Sequence, residues 1–203
     1  DGVVSGATDL SGTAGRGLNL PTVNVVDQYG NVVAGAAVYF SIGQTPGPAQ
    51  LAQTSLSTDI YGNATGVISQ LSTKSGTMKV SAANGSLNGS PINFNITVEA
   101  DAVASILKAG GDSQTAKSGT AWGSSIKVLV LDQYGNARGG QLVTFNVSSG
   151  SATLQDLRVF TDEDGFAETT ATPTAIGNVT ITASTTIGSG SSSVSFSLTA
   201  TAP

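Results

Sequence analysis

The 203-residue sequence contains neither cysteine nor histidine. The absence of cysteine excludes disulfides, thiolate nucleophiles and cysteine-rich zinc sites, and it leaves the redox compartment open because a core of this size needs no covalent staple. The absence of histidine excludes Ser/His/Asp triads, HExxH zinc sites and imidazole general bases. Catalysis by carboxylates alone, as in glycosidases, is the enzymatic class that survives. A non-enzymatic protein is therefore expected.

Charged residues are also scarce. There are 8 Lys and Arg against 13 Asp and Glu, which gives a net charge of -5 without a basic cluster. Nucleic acid is therefore not an expected partner, because nothing would neutralise a run of phosphates. No stretch approaches the roughly 18 consecutive apolar residues of a membrane helix, and the opening residues 1–3 do not resemble a signal peptide. We expect a mature, soluble segment that does not itself insert into a membrane.

Comparison of the chain with itself reveals a tandem duplication. "VVDQYGNVVAG" from Val25 matches "VLDQYGNARGG" from Val130 at an offset of 105, and Phe40 matches Phe145 at the same offset. Later matches drift by a few residues, which indicates small insertions and deletions in loops. The boundary is predicted near residues 98–103.

The duplication gives two domains, residues 1–99 and residues 100–203. Within both, apolar and polar residues alternate with the period of strands that bury one face. Ile126 and Val128, for example, flank Lys127. No window keeps helical spacing for three turns. The predicted fold is all-β, with two tandem antiparallel immunoglobulin-like β-sandwiches of about seven strands each.

The repeated Asp-Gln-Tyr-Gly segment is interpreted mainly as a turn. Asp27 stands where a type I turn favours a side-chain acceptor, and Gly30 stands where the backbone often needs positive φ. The same Asp-x-x-Gly spacing recurs from Asp59, Asp132 and Asp162, each time between alternating segments.

The turn does not require its aromatic residues, Tyr29 and Tyr134. We expect each to cover the end of its sandwich, and a role in binding is the alternative.

The ordered motifs resemble the bacterial immunoglobulin-like repeat (group 1) of the invasin and intimin adhesin family. The pattern is V-x-V-x-D-x-x-G-N-x-x-x-G, then V-x-F, then T-D-x-x-G-x-A, then G-x-x-x-V/I-x-A, and it occurs in both copies. The matching residues of copy one are Val23, Val25, Asp27, Gly30, Asn31, Gly35, Val38, Phe40, Thr58, Asp59, Gly62, Ala64, Gly76, Val80 and Ala82. Copy two departs at Phe166, where copy one has Asn63.

The resemblance implies an extracellular stalk of a bacterial surface adhesin, anchored in the outer membrane through other parts of the protein. Its implied partners are neighbouring repeats of the same chain, and a host cell-surface receptor is a further candidate. Two alternatives stay open. The tandem domains themselves bind a host receptor, or they are accessory domains of a secreted polysaccharide-active enzyme.

Acidic residues supply the candidate metal site. Asp162, Glu163 and Asp164 in one turn, and Glu99 and Asp101 near the domain boundary, carry the oxygen ligands that Ca²⁺ prefers. Neither stretch matches an EF-hand loop, and solvated turn acids are the alternative. No cofactor is expected apart from this candidate structural Ca²⁺.

Two further features are candidates for a function. Asp162 and Asp164 are the acids to test for glycoside hydrolysis, although turn acids rarely line the cleft that this chemistry needs. Trp122, the single tryptophan, is expected to pack on a sandwich edge, and an adhesive contact is the alternative.

Overall fold

The computed structural model describes residues 2–5, 8–85 and 87–203, and it describes side chains from residue 8 onward. The chain divides into two compact units, Asp1–Ala100 (unit 1) and Asp101–Pro203 (unit 2). The regular elements of the described residues are strands, and no helix among them has the length and apolar character to cross a membrane. The all-β prediction is confirmed.

The strands are numbered in chain order. Unit 1 has β1 (Gly2–Ser5), β2 (Asp9–Thr13), β3 (Leu18–Asn19), β4 (Val23–Val26), β5 (Ala37–Ile42), β6 (Gln50–Leu51), β7 (Ser55–Ser57), β8 (Asn63–Ala64), β9 (Val67–Gln70), β10 (Gly76–Ala83) and β11 (Ile92–Glu99). Unit 2 has β12 (Val103–Gly110), β13 (Thr115–Lys117), β14 (Ile126–Asp132), β15 (Leu142–Ser149), β16 (Ala152–Leu154), β17 (Arg158–Phe160), β18 (Phe166–Thr169), β19 (Ala171–Pro173), β20 (Gly177–Ile187) and β21 (Gly190–Thr201).

Each unit is built from a three-stranded and a five-stranded sheet. In unit 1 the strand orders are β1-β4-β8 and β2-β11-β10-β5-β7, and in unit 2 they are β12-β14-β18 and β13-β21-β20-β15-β17. A small sheet, β3-β9-β6 in unit 1 and β16-β19 in unit 2, completes each sandwich. The two copies therefore share the topology of both main sheets.

The first segment of each unit changes sheets. In unit 1, β1 pairs antiparallel with β4, and β2 then pairs in parallel with β11. Unit 2 repeats this with β12 on β14 and β13 on β21. An otherwise antiparallel sandwich thus carries one parallel pair at an edge of its larger sheet. Because of this split, and because several strands have only two or three residues, each unit has more strands than the seven or so that the sequence predicts.

Both cores follow from the alternating pattern. Val23 and Val25 in β4 are buried and Asn24 between them is partly exposed, and β14 shows the same pattern. The larger buried residues of unit 1 include Val38, Phe40, Ile68, Leu71, Met78, Val80, Phe94 and Ile96. The corresponding core of unit 2 includes Ile126, Val128, Val130, Val143, Phe145, Val179, Ile181, Phe196 and Leu198. The predicted inward faces are confirmed.

Candidate functional site

An aspartate-closed turn follows β4 in unit 1. The Gly30 N–H donates to the Asp27 carbonyl oxygen at 3.0 Å, and the Asp27 N–H donates to the Asn31 carbonyl oxygen at 2.8 Å. The Asp27 Oδ1 atom accepts the backbone N–H groups of Tyr29 and Asn31 at 2.8 and 2.9 Å. The carboxylate therefore satisfies two turn amides that the backbone alone leaves unpaired.

The same arrangement occurs from Asp59, Asp132 and Asp162. In each, the glycine N–H donates to the aspartate carbonyl, and Oδ1 of the aspartate accepts the N–H of the residue four positions later. The four turn glycines, Gly30, Gly62, Gly135 and Gly165, have φ of 84, 74, 78 and 80°. The predicted turn, with glycine in the left-handed region, is confirmed at all of these positions.

In each unit a buried threonine, directly ahead of the second Asp-x-x-Gly turn, bonds the loop that follows the first one. In unit 1, Thr58 Oγ1 donates to the Val33 carbonyl oxygen at 2.6 Å and accepts the Ala36 N–H at 2.9 Å. In unit 2, Thr161 makes the same two bonds, to Arg138 at 2.6 Å and from Gln141 at 2.9 Å. The threonine of the T-D-x-x-G motif is thus a positioning residue. The sequence signal for this residue is that the T-D-x-x-G motif occurs in both copies.

We call Asp27–Asn31 and Asp132–Asn136 the first turns, and Asp59–Asn63 and Asp162–Phe166 the second turns. They lie side by side, because the strands that they join are paired: Val25 N–H donates to the Gly62 carbonyl at 2.8 Å, and Val130 N–H donates to Gly165 at 2.9 Å. One end of each sandwich is therefore formed by two turns. The residues between the aspartate and the glycine of these turns are exposed, except Tyr134, which is partly buried.

The first turn of unit 2 carries an additional contact. The Asp132 Oδ2 atom accepts the backbone N–H of Asp101 at 2.9 Å and the Asn136 side-chain amide at 2.8 Å. The Gln133 Nε2 atom donates to Asp101 Oδ2 at 2.7 Å. Asp132 is 3% exposed. Burial alone raises the pKa of its carboxyl, but the surrounding N–H donors, led by Asn136, outweigh it, so the net pKa lies below the ordinary value.

The second turns differ in the chemistry that they expose. In unit 1, Ile60 and Tyr61 are 75% and 66% exposed. The same turn positions of unit 2 hold Glu163 and Asp164, which are also exposed. Because the backbone is the same, the fold does not require apolar residues there.

The expectation for the tyrosines is corrected by the structure. Tyr29 is 80% exposed, so it does not cover the end of the sandwich, because the turn directs its side chain outward. Tyr134 is partly buried. Val32, next to the first turn of unit 1, is 51% exposed, so Tyr29, Val32, Ile60 and Tyr61 make up an exposed apolar set on the paired turns, which we call the unit 1 turn patch.

Trp122 belongs to the core of unit 2. It is 5% exposed, its backbone N–H donates to the Ala171 carbonyl at 3.1 Å, and its indole N–H reaches the Thr199 carbonyl at 3.4 Å. A partner would meet little of this side chain.

The candidate calcium ligands are not gathered into one place. Asp162, Glu163 and Asp164 are exposed, and the Asp162 carboxylate accepts a turn amide. Asp101 is buried in unit 2, bonded to Gln133, and Glu99 is exposed in unit 1. In the described part of the chain, no three acidic side chains converge as a metal site would require.

Three surface clefts are among the concave features of the described residues. Their volumes are about 410, 420 and 310 Å³. Apolar, hydroxyl and amide side chains line them, and no acid is among the lining residues. Asp162 and Asp164, the acids singled out for glycoside hydrolysis, line none of these clefts.

Comparison with known proteins gives the family. Residues 112–199 match the family model for the bacterial Ig-like domain (group 1). The inverse autotransporter adhesin YeeJ of Escherichia coli (strain K12) is 33% identical over 170 residues, which cover 82% of this chain and 7% of YeeJ. The chain therefore spans a small part of the length of that relative.

Two solved structures share the fold. InvD of Yersinia pseudotuberculosis has a TM-score of 0.62 and 18% identity, covering 100% of this chain and 57% of that chain. The Escherichia coli adhesin FdeC has a TM-score of 0.58 and 17% identity, covering 98% of this chain and 63% of that chain. The matched model and the identity to an inverse autotransporter adhesin show that the chain belongs to the bacterial Ig-like domain (group 1) family.

Proposed function

We propose that the chain is an extracellular stalk segment of a bacterial surface adhesin, which holds a distal binding domain away from the cell. The observation that carries the proposal is the repetition of one sandwich, with the same paired turns, in two successive units. The identity to an inverse autotransporter adhesin supports the setting at the cell surface. In such a protein the outer-membrane anchor would lie in other parts of the polypeptide.

We further propose that the segment is not an enzyme. The three clefts described above have no acid among their lining residues, and the sequence offers no histidine or cysteine. This supports the proposal, because glycoside hydrolysis needs two carboxylates in a cleft. A relative that is 33% identical over 170 residues, YeeJ, is an adhesin.

The stalk role is tested in the full-length adhesin. One variant lacks residues 1–203, and a second carries an unrelated immunoglobulin-like pair in their place. Bacterial attachment to host epithelial cells should fall with the deletion and recover with the replacement. Failure of the unrelated pair to restore attachment would show that these units contribute more than length.

The unit 1 turn patch favours a second candidate function, direct binding to a host protein. Exposed tyrosines are common anchors of protein interfaces, and unit 2 shows that the second turn forms without apolar residues at its tip. We propose Ile60→Glu with Tyr61→Asp as the test, because these residues already occupy the matching turn of unit 2.

The readout is saturable binding of the labelled two-unit protein to host epithelial cells. If the patch binds, the double variant should lose binding while its melting temperature stays close to the original. The reciprocal control, Glu163→Ile with Asp164→Tyr, changes the same positions in unit 2. If the original protein shows no saturable binding, direct binding is excluded and the stalk role is the proposed function that remains.

A further inference from the structure

The first turn of unit 2 binds a segment of chain that precedes it. The segment contributes the backbone N–H of Asp101 to Asp132 Oδ2 and the Asp101 carboxylate to Gln133 Nε2, at 2.9 and 2.7 Å. Both Asp101 and Asp132 are buried, at 7% and 3% exposed. A charge-assisted bond from a backbone amide, in a place shielded from water, is a strong local anchor.

Unit 1 has the same turn residues that bond Asp101 in unit 2. Asp27, Gln28 and Asn31 match Asp132, Gln133 and Asn136 at the offset of 105. The Asn31 side-chain amide donates to Asp27 Oδ2 at 3.0 Å, as its counterpart does in unit 2. A carboxylate oxygen accepts two hydrogen bonds, so this arrangement has the capacity for a further N–H donor.

Strand register fixes where that donor would come from. Val26 of β4 faces Gly2 of β1, and the matching Leu131 of β14 faces Ser105 of β12. Asp101 precedes Ser105 by four residues. The register of unit 2 shifts between Val103 and Ser105. With the same shift in unit 1, the equivalent donor for Asp27 would belong to the position four residues ahead of Gly2, on the segment that would lead into β1.

We propose that the first turn of unit 1 is a docking site for an extended peptide segment of the same protein, one that offers a backbone N–H to Asp27 and a carboxylate to Gln28. The partner is a linker of the Val98–Ala104 type, and the Asp-Gln-Tyr-Gly-Asn turn is the part of each module that clamps the linker entering it. This deepens the proposed stalk role and relies on it for its biological meaning. The docking itself is measured on the protein alone.

The test replaces Asp1 of the two-unit protein with the probe segment V-E-A-D-A-V-A, the sequence of Val98–Ala104, so that the segment directly precedes Gly2. Amide hydrogen exchange by NMR follows the N–H of the added aspartate and the side-chain amide of Gln28. We expect the added aspartate to be protected to a degree comparable to Asp101, with a shift of the Gln28 side-chain signals. Exchange of its amide at the rate of an unstructured peptide, with Gln28 unmoved, would overturn the proposal.

Two matched variants separate docking from turn integrity. Gln28→Ala leaves the turn bonds of Asp27 in place and should lower protection of the added aspartate several-fold, as Gln133→Ala should for Asp101. Equal protection with and without the Gln28 side chain would contradict the assigned carboxylate contact. Because no cells are involved, failure here is distinct from failure of the stalk proposal in the attachment assay.

Discussion

The first turns of the two units have the same five residues in different surroundings. Asp132 is 3% exposed and holds the Asp101 amide, whereas Asp27 is partly exposed and the neighbouring Tyr29 is 80% exposed. The internal hydrogen bonds are nevertheless the same. The motif thus encodes the turn, while the chain around the turn decides what its carboxylate does beyond closing it.

The second turns show the opposite relation. Their backbones agree, but Ile60 and Tyr61 are replaced by Glu163 and Asp164 at the tip. These exposed positions are not constrained by folding, so their chemistry is available for function. A comparison of the two units therefore separates residues that build the scaffold from residues that it displays.

The largest expected effect lies at matched core positions, where the two units should behave alike. Phe40 and Phe145 are 3% and 1% exposed. We expect Phe40→Ala and Phe145→Ala each to lower the unfolding free energy of its own unit by about 3–5 kcal/mol, because each removes a buried ring and leaves a cavity. Denaturant unfolding, followed by Trp122 fluorescence for unit 2 and by amide signals for unit 1, measures this. A loss below about 1 kcal/mol at one site would break the equivalence of the cores.

The next comparison lies within unit 1, between its two turn glycines. Both have positive φ, but a Cβ on Gly30 would meet nothing within 4 Å, whereas one on Gly62 would lie 2.8 Å from the Val25 carbonyl oxygen. Gly30→Ala should cost about 1–2 kcal/mol through the left-handed backbone alone. Gly62→Ala should add about 1–3 kcal/mol for the steric conflict.

Gly135 and Gly165 are the matched pair in unit 2, with open space at the first and the Val130 carbonyl 2.7 Å from a Cβ at the second. The same ranking is expected there by thermal unfolding. Equal losses within either pair would show that the second turn relaxes away from β4 or β14.

A smaller effect should distinguish the two first-turn aspartates. Asp132→Ala leaves the Asp101 amide and the turn amides without their acceptor in a buried place, which should cost about 1–3 kcal/mol. Asp27→Ala exposes its former donors to water, so its loss should be smaller. Fluorescence of Trp122 and amide signals of unit 1 compare the two variants, and a greater loss for Asp27→Ala would reverse the comparison.

The sequence predicted much of the scaffold because its signals are local. Alternation of period two identified the buried faces of β4 and β14, and Asp-x-x-Gly spacing identified the turns, since both depend on neighbouring residues. The sheet change between β12 and β13 was not predicted, because it depends on pairing with strands far along the chain.

The environment of the turns was harder to predict for the same reason. Nothing within the turn sequence distinguishes Tyr29 from Tyr134, so the expected cover for the sandwich was wrong at the exposed Tyr29. Thr58 was visible as part of a motif, but its role needed the carbonyl of Val33, 25 residues away. The sequence makes Asp101 a candidate calcium ligand, and in the structure its carboxylate accepts a hydrogen bond from Gln133.

The smallest expected effect is a pH dependence that differs between the first turns. For both Asp27 and Asp132, the pKa of the carboxyl in the folded protein lies below its ordinary value. At Asp27 the main cause is the hydrogen bond from the Asn31 side chain. At Asp132 burial raises the pKa, but the hydrogen bonds that the carboxylate accepts lower it by more. A lowered folded pKa stabilises the protein at pH values above the unfolded pKa of about 3.9, and that contribution is lost as the pH falls through the folded pKa. Unit 2 should therefore lose stability below about pH 4, and Asp132→Asn should make this loss shallower.

Asp112 sets the background for that measurement, because its pKa is also lowered, first by the Lys108 hydrogen bond, and it remains in the variant. The pH slope of unit 2 should accordingly flatten without vanishing. Unfolding midpoints from Trp122 fluorescence, taken from neutral to acidic pH for Asp132→Asn and Asp27→Asn, give the comparison. Since Trp122 lies in unit 2, Asp27→Asn should leave the pH slope of the unit 2 midpoint unchanged. A steeper slope for Asp132→Asn would contradict the prediction. It would mean that the Asp132 carboxyl has a raised pKa in the folded protein, because its hydrogen-bond donors do not offset its burial.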